Sequence, residues 1–109
     1  MSEYSEITVD RIQAFEDKLG VTFQGLFSFI KLEQDEWLLI SGELHPLNGI
    51  NIEQDIQLVI SAHDSENRVI GSSNISIAAS SFFGFETFSH HIHKCPKSIC
   101  KVRIYPKPA

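Results

Sequence analysis

The chain has 109 residues, of which 42% are hydrophobic and 21% charged, the composition of a single globular domain with its own core. This composition excludes a disordered or fibrous chain. Two cysteines are too few for a disulfide-stapled scaffold. The first ten residues lack the pattern of a secretory signal, and no apolar run is long enough to span a membrane. We therefore expect a cytoplasmic protein without membrane contact.

The formal net charge of -5 is distributed unevenly along the chain. Residues 1–66 carry thirteen Asp and Glu against three Lys and Arg, whereas residues 67–109 carry Glu86 alone against six Lys and Arg. One interpretation is charge pairing between neighbouring strands. The other is a basic surface for an anionic partner. Nucleic acid is not expected as that partner, because the chain is acidic and has no nucleic-acid-binding motif. The basic surface would comprise Lys94, Lys97, Lys101, Arg103 and Lys107.

The segment before residue 21 has the spacing of a helix. Val9, Ile12, Phe15 and Leu19 recur every three or four residues, which places them on one helical stripe. Thr8 has the side chain of an N-cap, and Gly20 suits a left-handed C-terminal residue. The pattern predicts a helix over 9–19, within an N-terminal helical extension at residues 1–20 that precedes a β-sandwich domain at 21–109.

Six short apolar runs follow between residues 23 and 105, each ended by turn residues, which predicts an all-β sandwich or barrel. In the first run, strict alternation groups Phe23, Phe27 and Phe29 on one face. The other face is also apolar, so we expect both sides of this strand to be covered. The last run ends at Pro106 and Pro108, which predicts an edge strand because proline cannot donate to a sheet ladder.

The clearest hairpin is IQLVISAHDSENRVIGSSNISIA at residues 56–78, where Asp64 occupies the turn between two alternating strands and Phe88 opens the next strand. This order resembles the small bacterial immunoglobulin-like or fibronectin-III-like β-sandwiches of the FxLYD type, over residues 36–93. The resemblance implies an immunoglobulin-like antiparallel sandwich of about six or seven strands and a non-enzymatic accessory or interaction role. It transfers no functional residues.

The densest group of metal-binding residue types lies in HHIHKCPKSIC. His91, His93, Cys95 and Cys100 offer two imidazoles and two thiols, which is a zinc-like donor set. However, the paired Cys-x-x-Cys spacing is absent, and two histidines on a flat strand diverge. Surface histidines with reduced thiols and a disulfide between the two cysteines are the other interpretations. We predict no metal and no cofactor, and keep a small zinc protein as an alternative.

Ser61, His63 and Asp64 are the residue types of a catalytic triad. Ser61 and His63 share one side of a strand, but Asp64 falls in the turn and no nucleophile elbow surrounds the serine. We therefore predict no catalytic residue and no enzymatic activity.

The aromatic residues exceed what one inward face per strand requires. The main hypothesis is a non-catalytic module that binds a protein partner or a second copy of itself, as a homodimer, through an edge strand or a Phe-rich face. A carbohydrate- or small-ligand-binding module is the alternative, with Trp37 or Tyr105 as a stacking platform. The competing structural interpretation is that Phe83 and Phe85 cover the sheet beneath the N-terminal helix. The predicted interaction surface comprises Trp37, Phe83, Phe85 and Tyr105.

Overall fold

A computed structural model describes residues 4–31, 37–93 and 98–109 of the chain. A 3₁₀ turn at Ala79–Ser81 precedes the seventh strand. The other elements are β1 (Tyr4–Glu6), β2 (Thr8–Arg11), α1 (Gln13–Leu19), β3 (Val21–Lys31), β4 (Trp37–Pro46), β5 (Ile56–Asp64), β6 (Val69–Ile77), β7 (Glu86–His93) and β8 (Ile99–Pro108).

The strands form two four-stranded sheets. Sheet 1 has the order β1-β3-β4-β7, and sheet 2 has the order β2-β8-β5-β6. The predicted all-β sandwich with one short helix is confirmed. The described residues contain eight strands rather than six or seven, because residues 4–11 add one short strand to each sheet. The strand pairs are antiparallel, as predicted, except that β2 runs parallel to β8. The immunoglobulin-like assignment stays a prediction.

The core lies between the two sheets and follows the alternation of the strands. Leu38, Ile40 and Leu44 of β4 are fully buried, and their neighbours in the sequence are half-buried on the outer face. Two sheets that bury one face each against the other form a common core. Phe23 and Phe88 meet edge-to-face inside it, with ring centroids 5.9 Å apart.

The helix begins later than predicted. Thr8–Arg11 is a strand that pairs with Lys101–Ile104 of β8, and α1 starts only at Gln13. Thr8 is therefore not the N-cap, a position taken by Ile12 without a side-chain hydrogen bond. Residues with helical spacing join a sheet here because pairing with β8 satisfies their backbone hydrogen bonds. A short helix would be only marginally stable by itself. Gly20 ends the helix with φ of 70°, as predicted.

A β-bulge divides β3 and changes which side chains face the core. Gln24 pairs with Glu43 and Phe27 with Ser41, so two residues on β3, Gly25 and Leu26, oppose Gly42 alone. After the bulge the inward positions shift by one residue. Phe23 is buried, but Phe27 points outward and is exposed. The predicted grouping of these two rings on one face is therefore wrong.

The last strand is not an edge strand. β8 lies between β2 and β5, and its proline residues pair with Leu58 and Ile56. Pairing with β2 ends at Ile104, so Pro106 and Pro108 lie where β8 has one partner strand only. A residue without an N–H is tolerated at such a position. The prediction failed because the sequence does not show that β2 would cover this side of β8. At the other side of the sandwich, β6 and β7 are the edges of their sheets.

Helix α1 packs against β8 and β3. Its Glu16 is fully buried and accepts hydrogen bonds from Arg11 Nε at 3.0 Å and Nη2 at 2.6 Å. This ion pair, together with the Arg11 bond to Thr22 Oγ1, ties the helix to β2 and β3. In the described part of the chain, no helix has the length and apolarity that crossing a bilayer requires.

Candidate functional site

Two loops meet at one end of the sandwich, the β4–β5 loop at residues 47–55 and the β6–β7 loop at residues 78–85. Gly84 N–H donates to the Ile50 carbonyl at 3.2 Å and joins the loops. Asn48 Oδ1 accepts from the N–H groups of Ile50 at 2.8 Å and Asn51 at 3.1 Å. Gly49 and Gly84 both have φ of 76°, a conformation that favours glycine. The two loops are therefore held together by hydrogen bonds and defined turns.

Large apolar side chains project from these loops into solvent. Phe83 is 92% exposed, and Ile50 is 69% exposed. Leu47 is also exposed, whereas Phe82 beside Phe83 is buried and anchors the loop in the core. We refer to Leu47, Ile50 and Phe83 as the apolar tip. An apolar group held outward on an ordered loop is the arrangement of an interface anchor.

Phe85 extends this apolar character onto the outer face of sheet 1. Its ring is half exposed and stacks on His45, with centroids 5.1 Å apart and planes 6° apart. His45 Nε2 in turn lies 2.9 Å from Glu43 Oε1. Phe85 therefore lies beside the apolar tip rather than beneath another element.

A second group of rings crosses the outer face of sheet 1 at the opposite end of β4. The ring of Phe29 lies 6.1 Å from those of Phe27 and Trp37, and Trp37 meets His91 at 4.9 Å. Lys31 Nζ lies 5.9 Å from the Trp37 ring centroid. Trp37 is thus half-buried among its neighbours. Trp37 was predicted as part of the interaction surface, whereas Phe27 and Phe29 were not, because the alternation of β3 does not show the bulge that turns them outward.

Tyr105, the remaining predicted interaction residue, belongs to sheet 2. The ring of Phe15 from α1 packs edge-on against it, with centroids 5.5 Å apart. Tyr105 and Trp37 therefore lie in different sheets and form no shared platform. The contact also corrects the interpretation that α1 covers the Phe83 region, because the aromatic residue of the helix contacts Tyr105 while Phe83 is exposed.

The predicted zinc alternative is divided between the two sheets. His91 is exposed on β7 in sheet 1, and Cys100 is an exposed free thiol on β8 in sheet 2. His93 is the last residue of β7, and Cys95 lies outside the described residues. Among the residues that the structure describes, no group of three or more His, Cys, Asp or Glu side chains is placed to hold a metal ion.

Ser61 and His63 do meet, but without the carboxylate. Ser61 Oγ lies 2.8 Å from His63 Nε2, and His63 Nδ1 lies 3.4 Å from the Asn67 carbonyl oxygen. Asp64 accepts hydrogen bonds from Arg68 and from the backbone of its own turn instead. The pair therefore lacks the third group of a triad.

Charge pairing between strands is partly realised. Arg103 Nε on β8 lies 3.0 Å from Asp10 Oδ2 on β2, which joins the basic and acidic parts of the chain within one sheet. This contact supports internal complementarity over a free basic surface at Arg103. Lys94 and Lys97 lie outside the described residues.

One histidine connects the two sheets. His90 Nε2 on β7 lies 2.6 Å from Ser73 Oγ on β6. Burial lowers the pKa of His90 below its ordinary value, and the neighbouring His91 lowers it further. The neutral imidazole is therefore favoured at this bridge.

Comparison with known protein families, with characterised proteins and with solved structures finds no match to this chain. The resemblance to FxLYD-type sandwiches stays a prediction.

Proposed function

We propose that the chain is a non-enzymatic interaction module that binds a protein partner, another protein or a second copy of itself, through the apolar tip. The observation that carries this proposal is Phe83, whose ring is 92% exposed although its loop is fixed by hydrogen bonds. Burying a Phe or Ile side chain that was exposed contributes about 1.5–3 kcal/mol. Two such side chains, Phe83 and Ile50, therefore supply a substantial part of a binding free energy.

The ordered loops add to this effect. Binding costs about 0.5–1.5 kcal/mol for each flexible side chain that becomes fixed, and more for a loop that must be ordered. Here the Gly84 to Ile50 hydrogen bond and the Asn48 side chain already hold both loops. A partner would gain the apolar contact without a large ordering cost.

The catalytic candidates support a binding role over an enzymatic one. Asp64 is engaged in its own turn, and Ser61 and His63 contact each other on the face of a strand. A general base needs a substrate within hydrogen-bond reach and usually a cleft that excludes water. The apolar tip, by contrast, presents exposed apolar side chains that a partner can bury.

The test is affinity capture from a lysate of the source organism, with Phe83→Ser/Ile50→Ser as the disrupted variant. Val69→Ser is the matched control, because Val69 is also apolar and 61% exposed but lies at the start of β6. We expect the wild type and the control to recover the same partner and the double variant to lose it.

Sedimentation velocity of the same three proteins separates self-association from binding to another protein. A wild-type dimer that becomes a monomer in the double variant identifies a second copy as the partner. A partner retained by a folded Phe83→Ser/Ile50→Ser variant would contradict the proposed function.

A further inference from the structure

Carboxylates surround the apolar tip on two sides. A groove between the end of α1 and the β4–β5 loop is lined by Asp17 and Glu53, with Lys18 beside them. A second groove, between the end of β6 and the start of β7, is lined by Glu86. Leu47 and Asn51 line the first groove, and Asn51 also lines a shallow depression with Ile50 and Phe83. Glu86, in the second groove, follows Phe83 by three residues in the chain. The apolar anchors are therefore flanked by negative charge.

These carboxylates differ from the acidic residues elsewhere in the fold. Within the described residues, Glu53 and Glu86 make no ion pair, whereas Glu16, Asp64 and Asp10 each pair with an arginine. An unpaired carboxylate at the rim of an apolar patch keeps its full attraction for a partner's cation. Glu43 Oε1 already lies 2.9 Å from His45 Nε2, and Lys18 is the basic residue that lines the first groove.

We infer that the partner's contact surface is basic: an apolar side chain that packs on the tip, flanked by Lys or Arg that reach the carboxylates in the two grooves. This inference rests on the proposed function. Charge of opposite sign at the rim raises the association rate and makes binding depend on salt. The same carboxylates repel anionic lipid headgroups, so the charge favours a protein over a membrane surface.

A peptide library displayed on phage and selected on the immobilised full chain tests the inference. We expect selected peptides to combine an apolar residue with Lys or Arg. Synthetic copies are then titrated by fluorescence anisotropy at about 50 mM and about 300 mM salt, where screening lengths differ clearly. Wild type should bind them more tightly at the lower salt.

Three variants define the expected pattern. Phe83→Ser should weaken binding about 30-fold, the effect of losing a hot-spot residue. Glu53→Gln/Glu86→Gln should weaken it about 5-fold at low salt and flatten the salt dependence, because two rim charges are removed. Glu66→Gln is the matched control, since Glu66 is exposed but lies in the turn between β5 and β6, and should leave binding unchanged.

The possible outcomes separate the two proposals. Peptides that need Phe83 but carry no basic residues, or that bind the Glu53→Gln/Glu86→Gln variant normally, overturn the inference and leave the proposed function intact. Peptides that bind Phe83→Ser as well as wild type overturn both. Co-sedimentation with phosphatidylcholine or phosphatidylcholine/phosphatidylserine vesicles that is lost in Phe83→Ser would replace the basic protein partner with a membrane.

Discussion

The turn between β5 and β6 and the apolar tip use the same local devices for different ends. In the turn, Asp64 Oδ1 accepts from the N–H groups of Glu66 and Arg68, each at 2.9 Å, and Asn67 has φ of 64°. In the tip, Asn48 Oδ1 accepts from Ile50 and Asn51, and glycines take the positive φ. Both are side-chain-stabilised turns.

The two loops differ in which of their side chains have partners within the loop and which are exposed to solvent. Arg68 Nε lies 2.8 Å from Asp64 Oδ2, so the nearly buried carboxylate has all its partners within the turn. The tip instead satisfies its backbone and directs Ile50 and Phe83 into water. We expect stability to depend on the turn and the proposed binding to depend on the tip, so substitutions should separate the two properties.

The largest loss of stability is expected for Asp64→Ala. The substitution removes the acceptor of two backbone N–H groups, those of Glu66 and Arg68, and one of the two carboxylates that pair with the Arg68 side chain. A part-buried N–H group that loses its partner costs more than a hydrogen bond contributes. Urea unfolding measures the free energy of unfolding. Glu66→Ala is the control, because Glu66 is 68% exposed in its pair with Arg68, and should change stability by less than about 0.5 kcal/mol. Equal losses in both variants would refute the contrast.

Acid should remove the contribution of the same turn. Backbone hydrogen bonding from Arg68 is the largest cause that lowers the pKa of Asp64 below its ordinary value of 3.8, aided by the Arg68 side chain. A carboxyl whose pKa is lower in the folded state stabilises the fold above the unfolded pKa and loses this effect as the pH falls through the folded pKa.

The measurement compares wild type with Asp64→Asn by urea unfolding from neutral pH downward. The difference in free energy of unfolding should be constant above the ordinary carboxyl pKa and shrink below it. His90 titrates in both proteins, so its effect cancels. A difference that persists unchanged in strong acid would show that the carboxylate charge is not involved.

A smaller effect is expected for Gly84→Ala in the tip. No atom lies within 4 Å of the position that a Cβ would take, so the cost is the positive φ alone, about 1 kcal/mol. The free energy of peptide binding should change more than the free energy of unfolding. The backbone at residue 84 can relieve its strain by moving away, and this movement breaks the hydrogen bond from Gly84 N–H to the Ile50 carbonyl that joins the loops. Thermal unfolding and anisotropy on one sample give both values; unchanged binding would show that the joined loops are not required.

The smallest effect is expected for Asn67→Gly in the turn. Glycine adopts φ of 64° freely, but it also gains entropy in the unfolded chain, so the two contributions oppose each other. The change in free energy of unfolding should remain within about 0.5 kcal/mol in urea unfolding. A larger loss would mean that the Asn67 side chain makes a contribution beyond backbone conformation.

Alternation along single strands predicted the sandwich and its central hairpin, because one buried face imposes a period of two on the sequence. Residues 56–62 show it plainly, and β5 follows it. The β3 bulge could not be predicted in the same way, because a single glycine does not mark a bulge in the sequence. Gly25 adopts the left-handed conformation, and the residues of β3 after the bulge change faces. Pairing between distant segments, such as β2 with β8, leaves no periodic signal at all.

The candidate site was visible in part. Surplus aromatic residues indicated Phe83. Ile50 was missed, although it follows the turn dipeptide Asn48-Gly49 directly. A single apolar residue at such a place can itself indicate an exposed apolar side chain. That Ile50 and Phe83 lie together depends on a hydrogen bond between two loops more than thirty residues apart, which only the fold brings about.

The parallel pairing of β2 with β8 also has a consequence for biosynthesis. Thr8–Arg11 pairs with Lys101–Ile104, so the first of these segments waits until the second has been translated. At about 5–20 residues per second the interval is on the order of 10 s. During that time β2 has no partner strand in sheet 2, and the N-terminal segment is accessible to chaperones. Sheet 1 acquires β3 and β4 early, so closure of sheet 2 is expected to complete folding.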